Sequence, residues 1–314
     1  LSHYHQLESR NYRSFDGTLI RYSAAGQPTG NTLILANGLG GNVVCWQHLI
    51  EHFGSSHRIL CWDYRGLYDS SPAINNSYTI IDHVRDLEKL IEVEAVENPV
   101  LVGWSMGVQV SLEFERQNPG KAAGLILMNG TPGRPYRTAF NRDLDREMTF
   151  VWKHLERHWT KLRHVMKLKT FAVRRPTIHA FIKTIQRAGL AANALDKHIF
   201  AELGARWVDL DLGIYGRVFN HLAEHDSTHI LDTISLPVLV VGGAADRMTP
   251  LHRSELMAHR ISNAELCVIP KGTHFSPIEY PDLINLRIRR FLAQRLTRGH
   301  APTLSLAHDA SSAS

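Results

Sequence analysis

Short apolar runs, each bounded by turn residues, recur along this chain and alternate with stretches whose apolar residues repeat at helical spacing. The runs are 32–36, 58–62, 99–102, 124–128, 237–241 and 266–269. They are continuous rather than alternating, which suits strands covered on both faces. Between them Ile80, Ile81, Val84, Leu87, Leu90 and Ile91 recur at steps of a helix, as do Val108 with Leu112 and Ile284, Ile288 and Phe291 near the end. Strands that alternate with helices imply an α/β fold, a mostly parallel central sheet flanked by helices.

The alternation stops after Thr131-Pro132-Gly133 and resumes at Leu236-Pro237. The intervening stretch carries helical patterns and no convincing strand, so it reads as an inserted helical cap. The expected organisation is a core domain over 1–133, a cap over 134–235, the second part of the core over 236–298 and a flexible tail over 299–314, where the sequence turns small and polar. At 314 residues the chain can bury a large core, and 44% hydrophobic with 21% charged content is ordinary for a globular protein. No apolar run reaches the roughly 20 residues that a membrane span needs. The formal charge of +5 comes with no zinc-finger or RNA-binding signature, so no nucleic-acid partner is expected. Cys45, Cys61 and Cys267 lack metal or redox spacing and read as small apolar residues. The sequence opens at Leu1 with no basic, apolar leader in view, which leaves open a leader that was cut away; a cytoplasmic location, with or without peripheral membrane contact, is expected.

The residues that carry chemistry begin with Gly103-Trp104-Ser105-Met106-Gly107, which follows the run Val100-Leu101-Val102 and opens a helix. As a bare pattern it means little, because a chain this long yields roughly 0.1 such matches by chance. Its context carries the weight: a sharp strand-to-helix turn needs flanking glycines and leaves the serine hydroxyl exposed above a sheet. A serine nucleophile needs a base within hydrogen-bond reach. Among 19 histidines, His274 is the one in a loop, Lys271-Gly272-Thr273-His274-Phe275, that directly follows a strand-like run. His48, His52, His154 and His164 lie on helical segments and read as solvated or packed side chains.

A carboxylate at another strand end would fix the histidine tautomer and stabilise the imidazolium. Asp246 follows Val238–Val241 through Gly242-Gly243-Ala244-Ala245. The end of the preceding run, Asn129-Gly130-Thr131, has no acid, and Asp209, Asp211 and Asp226 lie in the presumed cap. Backbone N–H donors for a developing oxyanion are expected from Met106, which follows the serine, and from Leu39 in the loop Asn37-Gly38-Leu39-Gly40-Gly41. Asn37, Trp104 and Phe275 are expected to contact substrate. There is neither an H-E-x-x-H run nor a dinucleotide fingerprint, so no metal and no organic cofactor is implied.

Together these motifs resemble the α/β-hydrolase family, in particular its capped esterase and lipase-like members. The order Ser105, Asp246, His274 matches that family's order of nucleophile, acid and base. Asp16-Gly17-Thr18 before Ile20-Arg21-Tyr22 looks like the family's opening hairpin, and Asp63-Tyr64-Arg65-Gly66 looks like its D-x-R-G turn. Asn37 stands where the family often has histidine, and Tyr68 where its D-x-R-G-x-G pattern has the second glycine. The resemblance implies a serine esterase acting through an acyl-enzyme on an apolar ester such as a monoacylglycerol or a small lipid ester. Perhydrolases and carbon–carbon bond hydrolases share this arrangement, and a ligand-binding receptor that hydrolyses slowly is the rival from another class. Dehalogenases of this fold use aspartate as nucleophile, and Ser105 argues against them.

The cap has its own charge pattern. Between Val151 and Leu190 lie Lys153, Arg157, Lys161, Arg163, Lys167, Lys169, Arg174, Arg175, Lys183 and Arg187 against the single acid Glu156. Trp152, Leu155, Trp159, Leu162 and Met166 recur at steps of three or four and share one helix face. An aromatic face with a basic remainder can lie on an anionic membrane. The favoured reading is that this face packs over the active site with its charges solvated.

Overall fold

The computed structural model describes residues 7–144, 146–148, 150, 151, 154, 175–207 and 209–296. Its centre is an eight-stranded sheet in the order β1-β2-β4-β3-β5-β6-β7-β8. The strands are β1 (Glu8–Arg13), β2 (Leu19–Gly26), β3 (Thr32–Ala36), β4 (Arg58–Trp62), β5 (Val100–Trp104), β6 (Gly124–Met128), β7 (Val238–Gly243) and β8 (Ala264–Ile269). β1 and β2 form the opening antiparallel hairpin, β2 meets β4 antiparallel, and every other pairing is parallel.

The continuous apolar runs are explained by burial on both sides. Along β3, Ile34 and Ala36 enter one core cluster while Leu33 and Leu35 enter the other. The first cluster is completed by α2 (Ile80–Val93) and α3 (Met106–Gln117), through Val84, Leu87, Val108 and Leu112, and by α7 (Leu251–Arg260) through Met257. The second is completed by α1 (Gln47–Phe53), through Leu49 and Phe53, and by α9 (Pro281–Phe291), through Ile284, Ile288 and Phe291. α2 starts where Thr79 and Asp82 close a capping box, each side chain bonding the other's backbone N–H. Cys45 and Cys61 are buried as free thiols within the second cluster.

Between β6 and β7 the described residues hold α4 (Arg175–Arg187), α5 (Lys197–Trp207) and α6 (Leu212–Glu224) and no strand beyond an isolated bridge from Gly133 to Asp226. A small cluster of Ile182, Ala191, Leu195 and Ile199 seats this region on Val44 and Ile278 of the core. The aromatic-basic face from Trp152 to Met166 and the tail over 299–314 lie outside the described residues. No described helix is long and apolar enough to cross a membrane.

One buried ion pair locks the early part of the chain. Arg65, in the turn after β4, is fully buried and forks onto Asp86 of α2, Nε donating at 2.9 Å and Nη2 at 2.6 Å. Its Nη1 donates to Asp16 of the hairpin turn at 3.2 Å. Removing one partner strands a buried charge, so Arg65→Met is expected to lower unfolding free energy by about 3–5 kcal/mol. Urea denaturation checks this: Arg65→Met combined with Asp86→Leu should recover much of the loss, and a single-variant loss below about 1 kcal/mol would contradict it.

Candidate active site

Ser105 sits where β5 turns into α3, at φ 55° and ψ −111°, a backbone region that side chains rarely occupy. The flanking glycines are required by close approach. A Cβ on Gly103 would lie 2.3 Å from the Gly107 carbonyl oxygen, and one on Gly107 would lie 2.0 Å from that of Ala36. A Cβ on Gly130, past the end of β6, would meet Val108 at 2.3 Å. The turn is thereby wedged between β3, β5 and β6, and the Ser105 N–H is tied to the Met128 carbonyl at 3.0 Å.

The structure brings Ser105, His274 and Asp246 together from three strand ends. His274 Nε2 lies 2.9 Å from Ser105 Oγ, and Nδ1 lies 3.0 Å from Asp246 Oδ2. Asp246 accepts, so the network assigns the proton to Nδ1 and leaves Nε2 to accept from the serine hydroxyl. Asp246 is buried and saturated. Oδ1 accepts the Met248 and Thr249 N–H groups at 2.8 and 2.9 Å. Oδ2 also accepts Thr249 Oγ1 at 2.7 Å and Asn129 Nδ2 at 3.1 Å. Burial pushes this carboxyl upward, but the adjacent His274 ring and these hydrogen bonds outweigh it and hold the acid below its ordinary range.

The loop bearing His274 has a further support that the sequence motifs do not reveal. Glu279, buried in α8 (Ser276–Glu279), accepts from Thr273 N at 2.8 Å and Thr273 Oγ1 at 2.6 Å, and also from the cap residue Ala192 N at 2.7 Å. One carboxylate therefore joins the cap to the residue before the histidine. Thr249 belongs to no motif singled out in the sequence, although the D-x-x-T spacing from Asp246 is that of a side chain capping its own loop. Asn129 occupies the strand end where an acid was sought and supplies the neighbouring amide instead.

Trp104, Phe275 and Leu39 line one large cavity above Ser105. Trp104 Nε1 also donates to the His274 carbonyl at 2.9 Å, which ties the ring to the histidine backbone. The loop with Leu39 passes beside the nucleophile, since a Cβ on Gly38 would lie 3.2 Å from Ser105 Cβ. Met106 begins α3, so its amide belongs to the helix's first turn, where N–H groups point outward. Asn37 differs from expectation: it is fully buried and absent from the cavity wall. Its Nδ2 donates to the Trp62 carbonyl and its Oδ1 accepts from Trp46 Nε1, both at 2.7 Å. Both ends of the amide are engaged inside the core, away from the cavity. The cap acids have structural tasks as well: Asp211 accepts the first amides of α6, and Asp226 accepts the Thr228 amide.

The cavity measures about 820 Å³. Two runs of contacting rings line it, Trp104, Phe275, Phe200 and Phe181 in one and Trp207, Tyr215, Phe219 and Tyr136 in the other. Apart from His274 and the tyrosines, no ionisable side chain lines it among the described residues.

These features define a hydrolase of the α/β type, and comparison with known proteins agrees. The family model for the alpha/beta hydrolase fold matches residues 31–281, and the chain belongs to that family. It is 24% identical over 276 residues to a protein of Variovorax paradoxus named as a carbamate hydrolase, RutD, covering 88% of this chain and 96% of that one. A 2-hydroxy-6-oxononadienedioate/2-hydroxy-6-oxononatrienedioate hydrolase of Paraburkholderia xenovorans is also 24% identical, over 87% of this chain and 90% of its own length. Among solved structures, the esterase EaEST of Exiguobacterium antarcticum superposes with a TM-score of 0.71 at 17% identity, over 90% of this chain and 98% of that one.

Proposed function

We propose that this chain hydrolyses neutral, apolar carboxylic esters through an acyl-enzyme. The observation that carries the reading is the hydrogen-bonded line from Asp246 through His274 to Ser105 Oγ, opening into an apolar cavity of about 820 Å³. In the first step Oγ attacks the ester carbonyl, His274 Nε2 takes the hydroxyl proton, and the Leu39 and Met106 amides stabilise the oxyanion. The same histidine then protonates the departing alcohol. Water, deprotonated in turn by His274, releases the acid and restores Ser105.

The cavity selects among substrates by size and charge. A volume of this order holds a ligand of many heavy atoms, and a small polar carbamate would leave most of the aromatic wall unfilled. A dicarboxylate would bring charges into a wall with no cationic side chain among the described residues, at a large desolvation cost. An apolar acyl chain gains instead from each buried methylene, up to about 0.8 kcal/mol. Across p-nitrophenyl esters from acetate to octanoate, kcat/KM is therefore expected to rise by at least about tenfold, with a monoacylglycerol and a long-chain lactone as further arms. Fastest turnover of acetate, or a carbamate preferred over every ester, would overturn the substrate assignment. Fast turnover also separates an enzyme from a receptor, which needs only occupancy of the pocket.

A further inference from the structure

Tyr68 departs from the glycine expected at its position, and the structure shows what the tyrosine adds. Its backbone is left-handed, at φ 51°, a conformation that favours glycine and is unfavourable with a Cβ present. The side chain that takes on this strain is half-buried, packs on the first core cluster, and donates its hydroxyl to the Gly40 carbonyl. Burial, followed by the nearby Cys45 and Asp63, pushes the phenol well up, so the hydroxyl stays a donor.

The Gly40 carbonyl belongs to the Gly40–Gly41 peptide, whose N–H end donates to the Gly38 carbonyl at 2.8 Å. The Gly38 carbonyl belongs in turn to the peptide that carries the Leu39 N–H. Because a peptide unit is planar, fixing one end aims the other. The bonds thus run from Tyr68 Oη to Gly40, from Gly41 to Gly38, and so to the direction of the Leu39 amide. The start of the loop is held in the same manner, since Tyr64 Oη donates to the Asn37 carbonyl at 2.7 Å. From the cap side, a Cβ on Gly40 would come 3.1 Å from the Trp207 ring and 3.2 Å from that of Tyr215, so the loop is confined there as well.

We propose that Tyr68 is a positioning residue for the oxyanion site: its hydroxyl, held on the Gly40 carbonyl, aims the Leu39 N–H at the oxygen that becomes charged when Ser105 attacks. Tyr68 is not among the residues lining the cavity and acts through the loop alone. This inference rests on the acyl-transfer reading given above. Loss of the hydroxyl should therefore weaken transition-state binding and leave substrate binding intact, a drop in kcat without a matching rise in KM. Deleting an oxyanion donor outright costs about 100- to 1,000-fold, so loosening one is expected to cost about tenfold.

The test compares wild type with Tyr68→Phe, which keeps the ring. A fluorophosphonate is the first probe, because its phosphoryl oxygen occupies the oxyanion site while Ser105 Oγ displaces fluoride. The expected result is phosphonylation slowed by about tenfold, kcat for p-nitrophenyl octanoate lowered in parallel, KM within about twofold and melting temperature within a few degrees. Phosphonylation and kcat both within about twofold of wild type would overturn the assignment, as would losses that only track a fall in melting temperature. If wild type is phosphonylated at Ser105 but hydrolyses no ester, the ester reading fails by itself, and the two phosphonylation rates still decide the role of Tyr68.

Discussion

Ser105→Ala is expected to reduce ester turnover by on the order of a millionfold while leaving the fold intact. The size of the effect follows from what the residue alone supplies. His274 Nε2 faces Ser105 Oγ at 2.9 Å, so without the hydroxyl the base has no nucleophile to activate and no acyl-enzyme forms. Residual catalysis would come from the oxyanion donors and binding acting on bulk water. Stability should change little, because the hydroxyl serves no core contact and alanine tolerates the tight turn no worse than serine. Steady-state kinetics alongside a thermal melt checks both halves. Retention of more than a few per cent of activity would remove Ser105 from its role.

Asp246→Asn is expected to cost roughly ten-thousandfold in turnover, and the hydrogen bonds around the carboxylate dictate how. Oδ1 accepts two backbone amides, from Met248 and Thr249, which will hold the amide oxygen of an asparagine at that position. The –NH₂ group is then forced into the place of Oδ2, facing His274 Nδ1 and Asn129 Nδ2. Two donors would meet there, so the imidazole must give up its Nδ1 proton and carry it on Nε2, where it can no longer accept from Ser105. The donor–donor contact with Asn129 should also lower stability. Asp211→Asn makes the control, because an asparagine caps α6 as well as an aspartate does and no loss of turnover is expected. A large loss in the control and none at Asp246 would place the acid in the cap.

The fold was largely legible because buried parallel strands leave continuous apolar runs, and the six expected strands all form. Their ends show where reading stopped. β5 continues through Gly103 to Trp104 because that glycine admits the Gly107 carbonyl rather than making a turn. β1 was visible only through the resemblance of its hairpin. Of its six residues Tyr12 alone is buried, so it leaves no apolar signature.

At the site, residues that sit at strand ends could be found, since a strand end is a local pattern. Residues that act on those groups from elsewhere could not. Glu279 meets the cap residue Ala192 across 87 positions, and even Asn129, itself at a strand end, shows its role only against Asp246, 117 positions away. Asn37 misled for a related reason. A polar residue before a glycine-rich loop suggests an exposed group, but Trp46 and Trp62, from two other segments, bury it and satisfy its amide. Tyr68 is the converse case, a visible departure from a pattern whose purpose emerges only when Gly40 is found beside it.

The central claim is that Ser105 carries the acyl group. Wild-type protein mixed with p-nitrophenyl octanoate and quenched in acid within the first turnover should yield one octanoyl group on the peptide that contains Ser105, together with a burst of p-nitrophenol. Ser105→Ala should give neither the adduct nor the burst. An octanoyl group on a different side chain, or an unchanged burst from Ser105→Ala, would contradict the account.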